Sequence, residues 1–264
     1  MPAQPGDGVR SGETKAADVR RALILIFLGC GLAFGGTAAR SAGQAEETRV
    51  LLLWGGCCHA WEQQTQAVQT LLETGTAIRV TSTDDRESLR RETLEPFRVV
   101  FIMTQGGGIT DEQLGGLLGF VRDGGGLVVL HAAAGAFRES GAQEYFRMLG
   151  GKFRSHKYGD FRVEFTGEHP VTRGLRGFDV RDEDYVHDLY PDVERHVLAV
   201  RTSDGEPVCW VRHYGRGRVL YLALGHDRHS WNNRNFQIIL YRGTLWAAGN
   251  DRPGLPQARI RLPE

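Results

Sequence analysis

From Val50 onward, apolar runs and amphipathic stretches alternate along the chain. Val50 to Trp54 is continuously apolar and stops at Gly55-Gly56, as a strand buried on both faces would. Trp61 to Leu72 follows as a helix, with Val68, Leu71 and Leu72 on one face. Ala77 to Thr83 is β-branched and alternating, Arg86 to Leu94 has helical character, and Val99 to Thr104 is the next buried strand. Thr110 heads a helix running through Val121, because TDEQ sets Gln113 at the third helical position of a capping box. Gly124 to Gly126 end that helix and Leu127 to Leu130 form a fourth strand. Strand–helix alternation of this kind predicts a doubly wound, mostly parallel α/β sheet.

The second half is richer in strand pattern. Phe161 to Phe165, Val197 to Thr202, Val208 to Tyr214 and Arg218 to Leu224 all have strand character, the last two joined by a hairpin turn at YGRGR. Asn235 to Ala248 is a closing helix, and residues 250–264, with three prolines, read as a C-terminal tail. Residues 1–42 stand outside this pattern. Arg20-Arg21 precede the apolar run Ala22 to Leu28, which gives way to small residues through TAARSAG. A positive region, a short apolar core and a small-residue cleavage zone predict an export signal, so residues 43–249 make the folded domain and the protein is expected in a periplasmic or extracellular space. The apolar run is too short and too glycine-broken for a membrane span. Cys30 in FLGC leaves a lipid anchor as the less favoured alternative.

Composition narrows the function classes. Lys plus Arg and Asp plus Glu both number 32, so the chain lacks the concentrated basic face that nucleic acid requires. Beyond the signal only Cys57, Cys58 and Cys209 remain, too few for a disulfide framework. Cys57 and Cys58 read as small packing residues, and a Cys58–His59 nucleophile is disfavoured because neighbouring side chains point apart. The chemistry-bearing residues recur where strands stop. His59 follows the first strand, His131 closes LVVL, and His226 with Asp227 closes VLYLALG. Side chains beyond the carboxyl ends of such strands converge on one crevice, which makes a single site the expectation. Each histidine alone also fits a loop residue bonded to backbone, and His169, before Pro170, reads as a loop-fixing residue.

The blocks GGGLVVLHAA, YFRMLGGKFRSH, EHPVTRGL, DEDYV, YGRGRVLYLALGHD and LWAAG occur in order from about Gly55 to Gly249. In that combination the chain resembles the ThuA-like (trehalose utilisation) family. The resemblance implies a class I glutamine-amidotransferase-like, flavodoxin-like fold and a role in using trehalose and related disaccharides, often beside dehydrogenases that form 3-keto sugars. It also excludes glutamine hydrolysis, because the turn that carries the nucleophilic Cys in amidotransferases reads His131-Ala132-Ala133-Ala134 here. Ala60 departs from relatives with a polar residue at that place.

With the resemblance, the expected reaction is on a 3-keto sugar or glycoside, by histidine-assisted proton abstraction leading to elimination, hydrolysis or isomerisation. His131 and His226 are the expected proton-transfer pair, with Glu183 orienting one of them. His59, His156, Tyr185, Asp227 and Trp231 are the expected sugar contacts, Trp231 against a ring face or, equally, capping the core. At least one of the acids in Asp182-Glu183-Asp184 is assigned to a solvated face. His59, His131, His156, Glu183 and His226 also suffice to bind zinc or another divalent metal, although no close ligand spacing demands one. The rival readings are a sugar-binding accessory protein without chemistry and a zinc-dependent hydrolase.

Overall fold

The computed structural model describes residues 47–263; the expected export signal and Cys30 lie outside them. The strands are β1 Thr48–Gly55, β2 Ile78–Thr83, β3 Val99–Thr104, β4 Gly126–Leu130, β5 Gly151–Ser155, β6 Tyr158–Phe165, β7 Phe178–Glu183, β8 Val186–Leu189, β9 His196–Arg201, β10 Pro207–Tyr214 and β11 Gly217–Leu222. The helices are α1 Trp61–Glu73, α2 Arg91–Leu94, α3 Asp111–Arg122, α4 Gln143–Leu149, α5 Arg228–Trp231 and α6 Arg234–Ala247. Nine strands form one sheet in the order β2-β1-β3-β4-β11-β10-β9-β6-β7, and β5 pairs with β8 in a second, two-stranded sheet.

The fold is therefore α/β and flavodoxin-like, with five parallel strands from β2 to β11. Every residue of β3 and β4 is buried, which is why both read as unbroken apolar runs. From β11 to β7 each pairing is antiparallel. Four reversals bring β7 back to the direction of β11, so its last residue, Glu183, points to the same edge as the ends of β1, β4 and β11. The capping box at Thr110 and Gln113 is present in full.

The stretch expected as one helix from Arg86 to Leu94 breaks instead into a 3₁₀ turn, Arg86–Leu89, and the single turn of α2. Arg90 between them is extended, at ψ 147°, because the only apolar anchors, Leu89 and Leu94, are too few to hold a longer amphipathic face. The proline-bearing C-terminal segment has no regular element, yet it is tied down. Gln237 bonds the backbone of Ile260, Asn232 that of Leu262, and Arg234 the carbonyls of Pro256 and Ala258. No helix among the described residues is long and apolar enough to cross a membrane.

Candidate metal centre

His131 is the first residue after β4 and has a left-handed backbone, φ 50°. His tolerates that region better than most residues with a Cβ, and the reversal turns its ring along the sheet edge. His59 ends the turn after β1, in which Gly56 has φ 102° and lies so close to the Gln105 carbonyl that a Cβ would stand 2.3 Å from it. His226 follows Gly225 in the loop after β11. The three rings gather as the strand ends require: His59 lies 5.1 Å from both His131 and His226, and His131 lies 5.7 Å from His226, centroid to centroid.

Glu183 completes the group. Its Oε2 is 3.1 Å from His131 Nε2, and its Oε1 is 3.3 Å from His226 Nδ1 and 3.2 Å from His156 Nδ1. One ligand-capable atom from each of His59, His131, Glu183 and His226 lies within 4.8 Å of all the others. Hydrogen bonding fixes which atoms face inward. His131 Nδ1 lies 2.6 Å from the Ala223 carbonyl and His59 Nδ1 3.3 Å from that of Cys57, so both Nδ1 atoms donate and both Nε2 atoms carry lone pairs. Burial, then the charge of His131, lowers the His59 imidazole to about 4 and keeps it neutral at pH 7. Burial alone would raise Glu183, but the hydrogen bond to His131 and the surrounding imidazoles hold its carboxyl below the ordinary range. His59 Nε2 and His226 Nδ1 are buried without a hydrogen-bond partner; the latter is within ion-pair reach of Glu183 but lacks hydrogen-bond geometry. Lone pairs converging in this way repel one another unless a proton or cation sits among them. Such a group can hold a metal.

A buried carboxylate supports the arrangement. Asp182, 0% exposed, accepts hydrogen bonds from the backbone N–H of Glu183, Gly225 and His226 and from the Ser230 hydroxyl. It thereby locks the end of β7 to the loop that carries His226. Burial pushes its carboxyl above the usual range, and the nearby His131 charge and these donors work against that. Composition and spacing gave no sign of this role, since a three-acid run reads as solvated surface.

The expected site residues divide accordingly. His59, His131, His226 and Glu183 form the cluster itself, and His156, with 41% of its side chain exposed, stands at its mouth. His131 is 3% exposed and its Nδ1 is committed to the Ala223 carbonyl, so only Nε2, 3.1 Å from Glu183, faces the cluster, a placement that suits a ligand atom. Tyr185 is buried and stacks on His131 at 4.5 Å, so it backs the imidazole rather than facing a ligand. Trp231 is corrected as well. At 0% exposure, with Nε1 donating to Gly225 and its ring against Phe236, it caps the core and has no face for a sugar. Asp227 caps α5 and accepts a 2.6 Å hydrogen bond from Tyr158, whose hydroxyl burial and Asp227 push up to about 12. Tyr158 was missed, its only signal being an exposed aromatic close to His156. Cys57 and Cys58 are exposed and bonded to each other on the turn before His59, rather than packed inside. A cleft of about 570 Å³, lined in part by Cys58, His59, Gln63, His226, Asp227 and Leu262, opens beside the cluster.

Fold and site together define a flavodoxin-like α/β protein with a histidine–carboxylate centre at the carboxyl edge of its sheet. The chain belongs to the ThuA family, described as trehalose utilisation, whose model matches residues 49–247. It is similar in structure to a ThuA-like protein from Parabacteroides merdae (TM-score 0.66, 22% identity, 82% of this chain and 95% of that one). A ThuA-like protein from Bacteroides uniformis is similarly related (TM-score 0.67, 21% identity, 82% and 98%). A β-galactosidase from G. stearothermophilus shares the fold over 30% of its length (TM-score 0.52, 15% identity, 78% of this chain). Among curated proteins none matches.

Proposed function

We propose that the chain is a metal-dependent, exported enzyme acting on a 3-keto sugar or glycoside. The observation that carries the metal is the convergence of four lone-pair donors within 4.8 Å, two of them buried and otherwise unpartnered. Three imidazoles and one carboxylate suit zinc. Held there, a zinc ion would supply Lewis-acid polarisation of a carbonyl and a place for negative charge on its oxygen. The family's link to disaccharide use supplies the substrate class.

His156 is the base in this reading. Its Nδ1 lies within ion-pair reach of Glu183 Oε1, at 3.2 Å, which leaves Nε2 to take the proton from the carbon beside the keto group. The electron pair left on that carbon moves into the enolate. Tyr158, its hydroxyl held protonated and donating to Asp227, is placed beside His226, at 5.8 Å between rings, where its oxygen can accept a hydrogen bond from a sugar hydroxyl. Glu183 thus has two tasks, as a ligand and as the partner of the base.

The test is metal analysis with deuterium exchange into a 3-keto disaccharide in D2O. Wild type is expected to hold about one zinc per chain and to exchange the acidified C–H, and His226→Ala to lose both. His156→Ala should keep the metal but slow exchange on the order of 10²- to 10⁴-fold. Sugar binding with no exchange by the loaded wild type would replace catalysis with an accessory binding role. Export is tested separately, by a mature N-terminus near residues 38–45 on secreted protein, with a lipidated Cys30 as the anchored outcome.

A further inference from the structure

A second cavity, of about 500 Å³, opens at the ends of β1, β2 and β3 and is lined by Trp54, Trp61, Asp84, Asp85, Arg86 and Thr104, with Gly55 and Gly56. Because β1 pairs with β2 on one side and β3 on the other, this is where the strand order reverses, the crevice in which open α/β sheets hold small ligands. We infer that this cavity is a saccharide subsite that holds the sugar ring remote from the reacting carbonyl. The inference rests on the reading of the histidine cluster as a sugar-processing centre.

The lining chemistry selects the ligand class. Trp54, half-buried, and the edge of the largely buried Trp61 contribute apolar lining, against which a pyranose ring can set its C–H face. Asp84 is exposed and, among the described residues, its carboxylate has no hydrogen-bond or ion-pair partner, so it is available to adjacent hydroxyls. Asp85 spends one oxygen capping the following 3₁₀ turn through Glu87 N–H. The Arg86 guanidinium is already committed to the carbonyls of Gly106 and Gly108 and lies over the Phe137 ring. With two acids and a spoken-for arginine, the cavity repels phosphate and carboxylate ligands and favours a neutral polyol. Trp61 ties the two sites together: it lines this cavity, donates to the Gly56 carbonyl, and lies 4.6 Å from the His59 ring.

The experiment titrates the full-length zinc-loaded protein with trehalose and with glucose, followed by calorimetry and tryptophan emission. Trp210 and Trp231 are fully buried and Trp61 and Trp246 nearly so, so an emission change reports chiefly on the half-buried Trp54. Trehalose is expected to bind and shift the emission. Asp84→Ala should weaken trehalose binding about 10- to 100-fold, the usual effect of losing charge-assisted hydrogen bonds, with little effect on glucose. Trp54→Phe should keep an aromatic wall and most of the affinity while losing much of the emission change. Zinc content is measured on the same samples. Normal zinc with trehalose affinity unchanged by both substitutions would overturn the subsite and leave the metal centre standing. Absence of zinc, with trehalose binding still sensitive to Asp84, would overturn the metal centre instead.

Discussion

Asp182 is the residue on which the cluster depends without belonging to it. Its carboxylate answers three backbone N–H groups and one hydroxyl where water cannot reach, so removing it strands several buried donors at once. Asp182→Ala is expected to cost about 3–5 kcal/mol in urea unfolding, in the range seen when one partner of a buried charged network is lost. It should also loosen His226 and Glu183, so zinc affinity should fall with stability; an unchanged urea midpoint and zinc affinity would show that Asp182 does not position the site. His131 follows the same logic. An exposed imidazole could be exchanged for alanine at little structural cost, but this one satisfies the Ala223 carbonyl and packs on Tyr185. His131→Ala is therefore expected to lower the melting temperature clearly, and a melt close to wild type would refute that packing role.

At the scale of elements, the connections carry more of the function than the strands they join. The turn Gly55 to His59, the turn at His131 and the loop 225–230 are short and meet at one edge because β1, β4 and β11 run parallel. On the antiparallel half, the loop before β7 is fixed by His169, whose Nδ1 accepts the Val171 N–H as the sequence suggested. Burial, then the His196 charge, lowers the His169 imidazole from 6.5 to about 4. The unfolded chain therefore binds this proton more readily, and the folded state gains stability as pH rises through that window. His169 should contribute fully above pH 6.5, with its contribution lost as pH falls towards 4. His169→Asn, which keeps an acceptor for Val171, should flatten that part of the stability–pH curve; an unchanged slope would assign it to other groups.

For the whole molecule, metal and fold are linked, because the cluster joins β7 to the turns after β1, β4 and β11. A ligand that binds only the folded state at 100 times its dissociation constant adds about 2.7 kcal/mol. Zinc should accordingly raise the melting temperature of the metal-free protein by about 5–10 °C for a domain of this size, and leave His226→Ala unmoved. Equal shifts in both proteins would place the zinc elsewhere. Much of this architecture was legible in the chain. Burial on both faces forces an unbroken apolar run, so β1, β3 and β4 announced themselves, as did α3 through its cap. The convergence of His59, His131 and His226 followed from parallel strands alone. By contrast β5, β7 and β8 are short and half-exposed, with no pattern strong enough to separate them from loop. The sequence could also supply the histidines without saying which of their nitrogens are free, because that depends on carbonyls at Cys57 and Ala223 brought up by folding. Local pattern determined the elements and the edge at which the chemistry gathers. Only the tertiary structure decided that Asp182 is buried, that Trp231 faces the core, and that Glu183 closes the cluster, since burial and hydrogen-bond partnership are set by contacts between residues distant in the chain.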